Sequence, residues 1–364
     1  MAQEEGGTPP DRFLIPIPGL RVPRSWSIGS VIIHPGHGAT ALIATTPPFE
    51  GGYRFLRERV ETILASAAHG SIAEVDGADG IEVAIERVRE ALDILRLFQL
   101  ARSITHTTAF GLPGDVYTAT IEYIAVWQNS APGWRHLGEP IGWEFNDDAY
   151  RAWTDSRSFS FLSQAMASPM PTDGQRRAVT GARLLARAAA EHRPGFRMLG
   201  AVMALEAWLL PSSEGPQSLR LARHVTAFAC RRDDGQPCGG AVLDCPYLRL
   251  DPSDEKHRKR LKKLSTIGGA WTCSEWFRVV DWYGARSDAA HGRSAEVSSS
   301  DASSATYVIS HYLLDPILDW LASHPDDPTG DLARELGTVV DAASWQKMVD
   351  AIDEPTPPEM PPVC

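Results

Sequence analysis

Residues 196–210, FRMLGAVMALEAWLL, constrain this chain more than any other stretch. The run is nearly all apolar, reads as a helix, and is stopped by Pro211. A helix apolar on every side has to be enclosed by other elements. Such elements are at hand. TDGQRRAVTGARLLARAAAEHR, rich in Ala and Arg, precedes it as a helix that Pro194 is expected to close. PQSLRLARHVTAFAC (216–230) follows as a third helix. Thr272-Cys273-Ser274-Glu275 fits a capping box. It predicts a fourth helix through EWFRVVDWYGARSDAA, with Trp276, Val280 and Tyr283 on one face and Gly292 as its left-handed cap. A Ser-rich loop is expected over 294–304. TYVISHYLLDPILDWLASH then gives a fifth helix, kinked or split at Pro316. Short connections among five helices predict an all-α bundle over residues 172–325.

The first 150 residues read differently. RFLIPIPGLRVP and WSIGSVIIH read as strands, and TATIEYIAVW (118–127) alternates as a strand should. GIEVAIERVREALDILRLFQLAR (80–102) is a long amphipathic helix with Val83, Ile85, Val88, Ala91, Leu92 and Leu95 near helical spacing. The expected fold class is α+β: a mixed α/β domain over 1–150, a connector over 151–171 and the bundle over 172–325. A C-terminal helix and a disordered Pro-rich tail are expected over 326–364.

Within the bundle, residues 231–271 are too long for a loop between helices and predict a functional insertion or a small subdomain. It contains KHRKRLKK (256–263), with six Lys or Arg in eight positions. The whole chain carries a net charge of −11, so it should not coat nucleic acid non-specifically, and any such contact must be local. Lys259, Arg260, Lys262 and Lys263 are the candidate RNA-backbone contacts, against the plainer reading of a solvated helix face. Cys230, Cys238, Cys245 and Cys273 bracket the insertion and could close a structural zinc site, although their irregular spacing fits buried thiols as well. The chain's five cysteines do not form a disulfide scaffold. With no apolar run of membrane-span length and an acidic, polar N-terminus, a cytoplasmic protein is expected.

Motifs for other chemistries do not hold. GHGATA (36–41) has dinucleotide-loop spacing, but β-rich sequence and two prolines follow where a helix is required. His34 and His37 form an HxxH pair in a Pro-Gly turn without an obvious third metal ligand.

WYGARSDAAHGR (282–293) remains, and with it Arg286 and His291. Five residues on an ideal helix separate two side chains by about 140°, so convergence needs the backbone to leave helical geometry near Gly292. A helix C-terminus favours imidazolium, and Asp288 pushes the same way. An imidazole near neutral pH can exchange protons with two oxygens. A guanidinium beside it can grip a phosphate on two prongs. The pair suits RNA cleavage by the substrate's own 2′-hydroxyl, which requires neither a protein nucleophile nor a metal. Glu206 interrupts the apolar helix. If buried, it needs a partner, and Arg223 or Arg286 could serve.

RSDAAHG resembles the R-x4-6-H motif of HEPN-domain proteins. ALEAWLL (204–210), LRLARHVTAF (219–228) and DWYGARSDAAHG (281–292) occur in the order typical of the ApeA-like branch, associated with abortive infection. The resemblance covers roughly residues 172–325. Ser287 stands where the family often has Asn or another polar residue, and the insertion exceeds the minimal unit. The resemblance implies Arg286 and His291 as the catalytic pair of a metal-independent endoribonuclease. It also implies a homodimer that brings two motifs together, and a defence or toxin role with an antitoxin or phage-derived trigger. A non-catalytic HEPN scaffold that binds RNA or protein is the alternative.

Overall fold

The computed structural model describes residues 12–17, 19–38, 70–102, 110, 112, 143–210, 217–229, 274–292 and 297–339, and the backbone of 123–128 and 131–136. At 219, 223, 274–277 and 336–339 it describes the backbone alone. The fold is mixed α and β, with a small antiparallel sheet and a predominance of helix. The chain divides into two compact units, Met1–Pro171 and Thr172–Cys364. Among the described residues no helix is long and apolar enough to cross a membrane.

In the first unit, β1 (Arg12–Ile17), β3 (Trp26–Ile28), β4 (Val31–Pro35) and β5 (Ser71–Asp76) form an antiparallel sheet in the order β1-β5-β4-β3. The expected strand WSIGSVIIH is in fact a hairpin. Ile28 pairs with Val31, and Gly29-Ser30 makes the two-residue turn. Gly29 has φ +61, which such turns need, and its N–H donates to Ser163 Oγ at 3.0 Å. Short β2 (Leu20–Arg21) runs parallel to β8 (Trp143–Glu144). β6 (Tyr123–Gln128) and β7 (Ala131–His136) form a separate hairpin.

One face of the four-stranded sheet carries Trp26, Ile28, Val31, Ile33, Ala73 and Val75, all buried. Trp26 is ringed edge-on by Phe98, Phe145, Tyr150 and Trp153 at centroid distances of 5.1–6.2 Å. Phe98 comes from α1 (Ile81–Arg102), the expected long helix. Its apolar stripe is narrower at the start than the spacing predicts, because Val83 is 40% exposed. From Ala91 to Leu100 it is buried on every side. Asp93 and Arg96 are therefore buried together, paired at 3.0 Å, with Arg96 also donating to the Phe110 carbonyl at 2.9 Å. Residues 151–171, expected as a connector, instead hold the end of α2 (Asp147–Thr154) and all of α3 (Arg157–Ala167), which supplies Phe159 and Leu162 to the same core.

The described elements of the second unit are all helical. α4 (Asp173–Ala190) starts with a complete capping box, Thr172 bonding reciprocally with Gln175. It ends at Ala190, before Pro194, so the proline does not close it. Pro194 is instead the first residue of α5 (Pro194–Leu209), where its missing N–H costs nothing. α5 is the apolar run of the sequence, and it packs on α4, α6 (Gln217–Ala229), α7 (Ser274–Ala290), α8 (Ser299–Val308) and α10 (Pro328–Val339). Trp208 of α5 lies flat on Gly181 of α4, where an added Cβ would sit 2.2 Å from the indole nitrogen. That nitrogen donates to the Ala178 carbonyl at 3.2 Å.

The stretch expected as a Ser-rich loop is helical from Ser299 onward, with Ser298 capping it by accepting from the Asp301 N–H at 3.0 Å. The break expected at Pro316 is realised one turn earlier. Residues Ile309–Leu313 form a π turn between α8 and α9 (Leu314–Ser323). Proline removes an N–H and crowds the carbonyl four residues back, and a widened turn there relieves both effects.

Candidate functional site

Glu206 and Arg286 meet in the second unit. Glu206 lies on α5, the helix enclosed by the others, and Arg286 on α7. Among the described residues the buried positions of α7 are Val279, Trp282 and Ala289, so its inner face is turned by about one residue from the expected Val280 and Tyr283, which are half-buried. The side chain of Trp276, the third residue of the expected face, lies outside the described residues. Positions 279, 282, 286 and 289 share one stripe of an α-helix, which directs Arg286 inward. Its Nη2 donates to Glu206 Oε2 at 3.2 Å, with 27% of the Arg286 and 20% of the Glu206 side chain exposed. The guanidinium carbon also stands 5.5 Å from the Tyr283 ring centroid, one turn back on the same helix. Arg286 Nε is buried and makes no hydrogen bond among the described residues.

Of the two partners the sequence offered for Glu206, the structure pairs it with Arg286. The Arg223 side chain lies outside the described residues. Burial pushes the Glu206 carboxyl above the ordinary carboxylate range, and the charge and hydrogen bond of Arg286 only partly offset this. A half-buried ion pair of this kind fixes geometry more than it adds stability.

His291 sits one residue beyond the end of α7 and is exposed. Its N–H still reaches the Ser287 carbonyl at 3.1 Å, and the Gly292 N–H reaches Ala289 at 3.2 Å. Gly292 has φ +79, so the expected left-handed glycine cap is present. The backbone therefore leaves helical geometry just after His291. Arg286 turns toward Glu206 while His291 is exposed, and no hydrogen bond joins the two side chains among the described residues. Asp288 is half-buried on the turn before His291. Five helical residues span about 7.5 Å along the axis, within reach of one phosphodiester and its neighbouring sugar.

Tyr283 is the site residue that sequence reasoning did not single out for function. The available signal was its spacing of three from Arg286, which stacks an aromatic against a cation on one helix face. Lys259, Arg260, Lys262 and Lys263, and the four cysteines Cys230, Cys238, Cys245 and Cys273, lie outside the described residues. His37, of the HxxH pair, is exposed in a short 3-10 turn, Gly36–Gly38. Comparison with protein-family models, with curated proteins and with solved structures gave no match to this chain.

Proposed function

We propose that the protein is a metal-independent endoribonuclease of the HEPN class acting through Arg286 and His291, and that it serves as a defence or toxin effector. The observation that carries this reading is the setting of Arg286. It is aimed by a carboxylate at 3.2 Å and backed by an aromatic ring, with an accessible imidazole at the capped end of the same helix. An arginine that gives Nη2 to Glu206 and keeps 27% of its side chain exposed retains guanidinium donors for phosphate oxygens. In the reaction, the 2′-hydroxyl attacks its own phosphorus and His291 exchanges the proton. Arg286 stabilises the charge that develops on the phosphoryl oxygens, and the 5′-oxygen leaves. The products end in 2′,3′-cyclic phosphate and 5′-hydroxyl, and DNA is not a substrate.

The reading includes a homodimer in which each active site combines residues of two copies, which fits the lack of a hydrogen bond between Arg286 and His291 among the described residues. The basic strip 256–263 supplies backbone affinity, and a structural zinc at the four cysteines holds the insertion. That same lack of a direct hydrogen bond also favours a second reading, a HEPN scaffold that binds RNA or protein without cleaving. Expression of wild type beside His291→Ala, with growth and RNA integrity followed, decides between them. Growth arrest with cleaved RNA in wild type alone supports the enzyme, and equal cleavage by both proteins removes His291 from the chemistry. Arg286→Lys should be severely impaired, because an ammonium keeps the charge but loses the two-pronged geometry. Intact RNA with both proteins moves the conclusion to the scaffold.

A further inference from the structure

A second cluster of chemically capable side chains lies in the first unit, on the sheet face opposite the aromatic core. Glu74 pairs in register with Leu14 and Ile32, and Ile32 with Ser27. By the two-residue period of strands, Arg12, Glu74, His34 and Ser25 share one face, one residue from each strand or its immediate lead-in. They touch in sequence across the sheet. Arg12 Nε ion-pairs with Glu74 Oε1 at 2.6 Å. The other carboxylate oxygen meets His34 Nε2 at 2.6 Å, and His34 Nδ1 meets Ser25 Oγ at 2.9 Å. Exposure falls along the row. Ser25 is open to solvent, 15% of the His34 side chain is exposed, and 11% of the Glu74 side chain.

We propose that Ser25 is an activated nucleophile that accepts acyl groups from esters, with His34 as its base and Glu74 and Arg12 as positioning residues. The donor inventory dictates the tautomer. An ionised carboxylate can only accept, so in the neutral imidazole Nε2 carries the proton and Nδ1 offers its lone pair to the Ser25 hydroxyl. Burial pushes Glu74 up, but Arg12 and His34 outweigh it and hold the carboxyl below its ordinary range. The acceptor therefore stays charged. This is the nucleophile–base–orienter arrangement of acyl-transfer sites, with the two imidazole nitrogens in exchanged roles. Either nitrogen serves, since the base needs only a lone pair in reach of the hydroxyl. In the step, Ser25 Oγ bonds to the ester carbonyl carbon and its proton passes to His34 Nδ1. The ester C–O bond breaks, and the leaving alcohol takes that proton. Water, deprotonated by the same nitrogen, then attacks the acyl carbon, the bond to Ser25 Oγ breaks, and Oγ takes the proton back from His34 as the acid leaves.

The test uses the full-length protein and p-nitrophenyl acetate, followed by nitrophenolate absorbance and by peptide mapping. A burst of about one equivalent per chain, with acetate on Ser25, is expected. Ser25→Ala should abolish the burst without changing the melting temperature, because the side chain is exposed. His34→Gln should slow the burst by about a hundredfold or more. Ser27→Ala, on the same face one strand position along, should react as wild type does. Acetylation confined to other residues, or a His34→Gln protein that reacts at the wild-type rate, overturns the proposal. The assay reads ester chemistry alone, so its outcome is independent of RNA cleavage.

Discussion

Two glutamates show how burial and partners compete at the scale of one residue. Glu206 has one cation at 3.2 Å, and burial wins, so its carboxyl lies above the ordinary range. Glu74 has Arg12 and His34 at 2.6 Å each, and the partners win, so its carboxyl lies below it. The signs of the resulting stability profiles are opposite. For Glu74, the fold favours the ionised form. Its contribution is present above the unfolded value and lost as pH falls through the folded one. For Glu206, the fold favours the protonated form, and its contribution is lost as pH rises through the folded value. Urea melts across a pH series, with Glu74→Gln and Glu206→Gln beside wild type, should show this. The advantage of wild type over Glu74→Gln closes in acid, whereas its standing against Glu206→Gln worsens as pH rises above the carboxylate range. Parallel profiles for the two variants would contradict the assignment.

Elements differ in how plainly their residues announce them. α5 is legible because an apolar run bounded by Pro211 permits little else, and the cap at Gly292 because glycine is the residue that accepts φ +79 without strain. Pro194 misleads, since proline both ends helices and begins them, and only the chain's path distinguishes the two uses. The serines at 298–300 look like a loop, yet one of them is a cap and the alanines behind them face the core. The pairing of Glu206 with Arg286 is only half legible. Spacing says that a buried carboxylate needs a cation but not which of two arginines folds against it. The close approach of α4 and α5 at Gly181 and Trp208 is invisible in sequence, because it depends on the packing of two helices. It makes a sharp prediction. Gly181→Ala should destabilise by ~1–3 kcal/mol through overpacking against the rigid indole. Gly284→Ala, on the exposed side of α7 with nothing within 4 Å, should instead stabilise by ~0.5–1 kcal/mol. Thermal denaturation of the two variants measures both, and a stable Gly181→Ala protein would mean the helices are farther apart.

On the scale of the whole molecule, the division at Pro171 and Thr172 separates an aromatic-cored α+β unit from one whose described elements are helices. Residues 172–364 begin with their own capping box, and their described helices bury one another. Expressed alone, this segment should give a helical circular-dichroism spectrum and a cooperative melt. A non-cooperative melt would show that it depends on the first unit. The acidic charge of the chain sets a second expectation. Replacing Lys259, Arg260, Lys262 and Lys263 with Ser should weaken binding of all RNAs alike and flatten its salt dependence. Unchanged binding at low salt would reduce the strip to a solvated face. The ring of aromatics around Trp26 has an optical consequence. The indoles of Trp26 and Trp153 lie 5.3 Å apart with their planes 86° from parallel, close enough for their electronic transitions to mix. A pair of opposite-signed near-ultraviolet bands should therefore mark the first unit and vanish in Trp153→Phe, giving each half of the chain its own colour of signal when the protein is unfolded.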